Sequence, residues 1–131
     1  MIAFALALMM QASAASIEGA AERIAGSPEL ARMFEQKSAP FIRCGRKALE
    51  KHLAEQAAGT SFESMSQSRA MAVFKKAMDG AASDCDINGQ ARIIAGDIQS
   101  ALPDIDRSAA VAIARSNLYQ LIGLSIWGNE P

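Results

Sequence analysis

The chain contains two cysteines, Cys44 and Cys85, and one histidine, His52. These side chains offer nucleophilic, metal-binding and proton-transfer chemistry, so their spacing is the first constraint. Cys44 and His52 lie about two turns apart on the same candidate helix, roughly 12 Å of rise. That separation rules out a shared metal ion or a nucleophile–base pair formed within the helix. A Ser–His–Asp arrangement would have to use His52, and its sequence neighbours supply no such set. The sequence has no H-E-x-x-H, C-x-x-C, G-x-S-x-G or phosphate-loop glycine pattern. Asp104 and Asp106 follow Pro103 and read as helix-start residues rather than as a paired acid and base. No catalytic residue is assigned, no cofactor is expected, and His52 reads as a surface residue.

The sharpest local pattern is Asp84-Cys85-Asp86-Ile87-Asn88-Gly89. It resembles the first half of an EF-hand calcium loop, with side-chain oxygens at alternate positions and glycine at the turn. The second half departs from that pattern. Ala95 stands where a bidentate Glu is needed, Arg92 places a positive charge near the ion, and Ala91 replaces a larger apolar residue. The expectation is therefore no metal, with Asp84, Asp86 and Asn88 the residues that would ligate a cation if one bound. The plainer reading is a turn in which Asp86 caps the next helix.

Lys plus Arg number 13 and Asp plus Glu 14, for a net charge of −1. That balance gives no global attraction to nucleic acid, and an aromatic content of 5% argues against base-stacking surfaces. The charge is unevenly spread: residues 1–36 carry a net −2, residues 37–76 a net +5 and residues 77–131 a net −4. The last two could face each other within the fold or pair two subunits, but solvated helix faces are the simpler reading. Arg43, Arg46, Lys47 and Lys51 gather at helical spacing into a basic stripe, diluted by Glu50 and Glu55. Met33, Met65, Met71 and Met78 read as core filling.

Residues Met1 to Met10 form an uncharged apolar run, followed by Ala12-Ser13-Ala14. An apolar stretch leading into small residues is the layout of a secretory signal peptide, and it is too short to span a membrane. Residues 1–14 are read as that segment and residues 15–131 as a single helical domain, exported to the periplasm or outside the cell. An even cysteine count in an exported chain predicts a Cys44–Cys85 disulfide. The loop it closes spans about 41 residues, which the chain-entropy model values at roughly 4 kcal/mol at most. A helical hairpin between the two cysteines would bring them together.

The elements that must position these residues are helices. Hydrophobic residues make up 50% of the chain, with abundant alanine and no convincing period-two stretch. The predicted fold is an all-α bundle of about five helices. Ile17–Ala25 ends at Gly26, and Ser27 with Pro28 starts a new helix. Ser38-Ala39-Pro40 is expected to break or kink it. A segment from Pro40 to Ala58 follows, with Gly59 as C-cap. Thr60 to Glu63 fits a capping box opening a helix that closes at Gly80. Asp86 caps a helix stopped by Pro103, and Asp104 caps the last, which is apolar on more than one face. Such a helix lies at the centre of a bundle or is shared with a partner. Homo-oligomerisation through it is one option, whereas its polar residues argue against a membrane span.

The function expected is that of an exported, non-catalytic helical interaction protein: an accessory subunit, an inhibitor or a chaperone-like binder of another protein. The alternative is a small-ligand or ion binder using an inter-helix pocket or the Asp84–Gly89 loop. A wide apolar surface favours the first, and an enclosed pocket with convergent polar groups favours the second.

Overall fold

The computed structural model describes residues 17–126, and over that span the protein is an all-α bundle of five helices without strands. Helix α1 is seen over residues 17–25. Helix α2 is Pro28–Ala57, α3 is Gln67–Asp84, α4 is Ile87–Ala101 and α5 is Arg107–Ile126, with a single 3-10 turn at Phe62–Ser64. The signal-peptide reading of residues 1–14 lies outside the described residues.

Several helix ends form as their residue types dictate. Ser27 accepts a hydrogen bond from the Leu30 N–H at 3.3 Å, with Pro28 following in the first turn, where its missing N–H costs nothing. Asp86 caps α4 by accepting from the Gly89 N–H at 3.2 Å. Leu102 and Pro103 stop α4 after Ala101.

Four boundaries differ from the sequence expectation. The chain does not break at Ser38-Ala39-Pro40, because α2 is continuous through Pro40. A proline costs its own N–H bond to the carbonyl four residues back, but Pro40 is exposed and the turns on either side are anchored by buried Leu30, Phe41 and Leu49. Tertiary burial outweighs the local penalty. Nor does Thr60 start a helix. The chain leaves α2 through left-handed Ala58 and Gly59, and α3 begins only after Ser66, whose hydroxyl accepts from the Arg69 N–H at 3.2 Å. Counted from the Cys44–Cys85 contact, α3 already reaches back further than α2 reaches forward. A helix starting at Thr60 would have its first turns beyond the end of α2, with nothing to pack on.

Gly80 likewise does not close α3, which runs on to Asp84. Its role is close approach: a Cβ at Gly80 would sit 2.8 Å from Cε1 of the His52 ring. Finally, α5 begins at Arg107 rather than at Asp104. Asp104 instead takes two hydrogen bonds from the Arg23 guanidinium, one from Nη2 to Oδ1 at 3.0 Å, which ties the α4–α5 loop to α1. That pairing holds the Asp104 carboxyl below its ordinary range.

The core is built largely from alanine and isoleucine. Helix α5 contributes Ala110, Ala114, Leu118 and Ile122, and α4 contributes Ala91, Ile94, Ala95 and Ile98, all fully buried. Small residues let the helix axes approach closely, and each buried Leu or Ile adds about 1.5–3 kcal/mol. The crossing of α2 and α5 is the tightest example. A Cβ at Gly45 would lie 2.8 Å from Cγ1 of Ile122, so only glycine fits there without displacement. Helix α5 packs on α4, α2 and α3, the central position its composition called for, while Leu124 near its end stays 54% exposed.

Candidate functional site

Two places on α2 hold the chemistry-bearing residues. The first is the junction of α2 with the end of α3 and the start of α4. There Cys44 and Cys85 are disulfide-bonded, with Cα atoms 6.0 Å apart, within the reach such a bond requires. The pairing read from the sequence is present, reached through a hairpin whose second arm is longer at its far end than expected. Cys44 is exposed and Cys85 half-buried.

His52, two turns further along α2, is engaged with the end of α3, contrary to its reading as a plain surface residue. Its Nε2 is 2.7 Å from Asp84 Oδ2, and its Nδ1 faces Glu55 Oε2 at 3.9 Å. Nucleophile activation requires one imidazole nitrogen on the carboxylate and the other on the nucleophile. Here both nitrogens face carboxylates, and no hydroxyl or thiol hydrogen-bonds to the ring among the described residues. The geometry is that of a clasp between α2 and α3, with the ring lying flat against Gly80.

The structure separates the three residues of the Asp84–Gly89 pattern. Asp84 ends α3 and turns to His52, Asp86 bonds the Gly89 N–H, and Asn88 Oδ1 accepts from Arg115 Nε of α5 at 3.0 Å. Each oxygen has its own partner on a different element, and only Cys85 and Asp86 separate the two helices. Among the described residues no group of three or more His, Cys, Asp or Glu side chains could hold a metal ion. Arg43, Arg46, Lys47 and Glu50 line a cleft with Cys44, so three of the four cations of the predicted basic stripe share that cleft with one end of the disulfide.

The second place is a groove of about 520 Å³ between the N-terminal half of α2 and the end of α5. Ala31, Phe34, Ala39 and Ile42 of α2 and Leu121 of α5 give it apolar walls, Glu35 also lines it, and Arg43 and Arg46 stand at one end. Its hydroxyls are already used: Ser38 donates to the Glu35 carbonyl at 3.3 Å and Ser125 to the Ile122 carbonyl at 2.6 Å. The sequence reading missed this groove because a break at Pro40 cuts its stripe in two. Read through the proline, the apolar positions recur at helical spacing from Ala31 to Ile42, and that was the available signal.

A third polar contact is structural. The Tyr119 hydroxyl of α5 donates to Asp79 Oδ1 of α3 at 2.8 Å, and Asp79 also takes a bond from Lys75. Desolvation first, and then the Asp79 carboxylate, push the Tyr119 hydroxyl up to about 12. The Tyr119 bond, helped by Lys75, lowers the Asp79 carboxyl.

Among the described residues no helix is long and apolar enough to cross a membrane. No family model matches this chain, and no curated protein or solved structure is significantly similar to it.

Proposed function

We propose that this chain is an exported, non-catalytic interaction protein whose α2–α5 groove receives an amphipathic helix of a partner protein, acidic at one end. The observation that carries this reading is the groove along α2 between Ala31 and Arg46, which no other described helix fills and which is largely apolar, with Glu35 on its wall and Arg43 and Arg46 at its end. That stretch is about 22 Å long at 1.5 Å per residue. A partner helix laying its own apolar stripe along such a face is a recurring recognition mode. Leu124, one turn beyond Leu121, extends the apolar surface outward. A small ligand fits less well, because specific small-molecule sites present convergent polar groups, and the Ser38 and Ser125 hydroxyls are bonded to their own helices. The apolar run Met1–Met10 with Ala12-Ser13-Ala14 supports export, and an exposed disulfide is chemically at home in an oxidising compartment.

The test is site-specific photo-crosslinking in the native host, with the photoreactive residue at Ile42 in the groove or at exposed Met71 on α3. The expected result is one discrete protein adduct from Ile42, absent from Met71 and lost when Leu121→Arg blocks the groove. Equal labelling from both positions would count against the groove as the docking face. Mass spectrometry of the same material should show an N-terminus near Ala15, and intact Met1 in the cytoplasm would refute export.

A further inference from the structure

We propose that the Cys44–Cys85 bond is a thiol-exchange site that takes a small thiol of net negative charge, with Cys44 as the sulfur attacked. Three observations carry this. Cys44 is exposed as a residue whereas Cys85 is half-buried, so the Cys44 side of the bond is the more open to an incoming thiolate. The cleft at Cys44 is cationic: Arg46 is paired with Glu50 at 3.6 Å, but Arg43 and Lys47 form no ion pair among the described residues, and their charge acts on an approaching anion. Cys85, by contrast, is flanked in the chain by Asp84 and Asp86, so its immediate neighbours carry negative rather than positive charge. Exposed disulfides are the labile ones, and electropositive surroundings favour attack by thiolates.

In the exchange step, the thiolate sulfur bonds to Cys44 Sγ and the Cys44–Cys85 bond breaks. Its electron pair leaves on Cys85 Sγ, which takes a proton from solvent. The small thiol is thereby oxidised to a mixed disulfide on Cys44, and Cys85 is reduced to a thiol. A second molecule of the same thiol can release Cys44 and depart as a symmetric small-molecule disulfide. The first step unties α2 from the α3–α4 turn, while the His52–Asp84 bond still joins α2 to the end of α3.

The experiment measures reduction of the folded full-length protein at neutral pH by three probes: reduced glutathione (anionic), 2-mercaptoethanol (neutral) and cysteamine (cationic). The wild type is compared with Arg43→Gln/Lys47→Gln, whose sites are both exposed, so the fold is retained and circular dichroism checks it. Each thiol is compared with itself across the two proteins, which cancels its intrinsic reactivity. The glutathione rate should fall by about three- to tenfold in the variant, the 2-mercaptoethanol rate less, and the cysteamine rate least, with the differences vanishing in molar salt. Acid-trapped adducts should map to Cys44, with Cys85 open to alkylation. Equal changes for all three thiols, an adduct on Cys85, or no reduction without denaturant would each overturn the proposal.

Discussion

The two halves of α2 meet opposite fates. The C-terminal half is pinned on several sides, by the disulfide at Cys44, the His52–Asp84 bond, the close approach of His52 to Gly80, and fully buried Leu49. The N-terminal half buries Leu30, Ser38 and Phe41, and its residues from Ala31 to Ile42 line a groove that no other described helix fills. One helix therefore supplies both the rigid frame and the groove proposed above as a docking face. A helix of 30 residues outruns the 18-residue α3 that pairs with it, so part of its length has no hairpin partner.

Cutting the staple should test that contrast most strongly. Cys44→Ser/Cys85→Ser should cost up to about 4 kcal/mol in urea unfolding. Hydrogen exchange should accelerate more in α3 and the C-terminal half of α2 than near Leu30, and uniform acceleration would erase the distinction between the halves. Next in size is Gly45→Ala, where the two halves join. The new Cβ meets Ile122, so α2 and α5 must separate, and the expected loss is about 1–3 kcal/mol by denaturation.

Pro40→Ala acts in the opposite direction on the open half. Alanine restores an N–H for the Gln36 carbonyl at an exposed position, while the unfolded chain regains the freedom proline denied it. The net expectation is a gain of about 1 kcal/mol in thermal unfolding, and a loss would mean that the proline is needed for the shape of α2. The smallest effect concerns Tyr119, whose pKa is raised in the fold. Its stabilising contribution is complete below its ordinary value of 10.0 and is lost as pH rises towards about 12. The urea midpoint should decline across that window, and Tyr119→Phe should flatten the decline. Asp79 behaves conversely: its pKa is lowered, so its contribution is present above 3.8 and fades below it.

Local signals were read correctly where one residue type controls one end of an element. Ser27, Pro28, Asp86 and Pro103 act within a turn of themselves, and their placement follows from hydrogen-bonding capacity alone. The same local logic misplaced Gly80 and Thr60. A mid-helix glycine has the same identity whether it ends a helix or admits a neighbour's ring, and a capping sequence does not indicate whether anything lies ahead for the helix to pack on. The groove is hidden in the sequence for a related reason: Pro40 predicts a break, and only the burial of Phe41 and Leu49 carries the helix through it.

The sequence by itself determined an all-α chain, because alanine-rich, 3.6-periodic segments with capping residues have no comparable alternative as strands. It also determined which cysteines pair, since only two exist. Tertiary structure alone decided that α2 is one helix, that His52 meets Asp84, that Asp84, Asp86 and Asn88 turn to three different partners, and that a groove runs between α2 and the end of α5. Each of these depends on helix register and on where a neighbouring helix ends. Such features arise from contacts between residues far apart in the chain, which local periodicity does not encode.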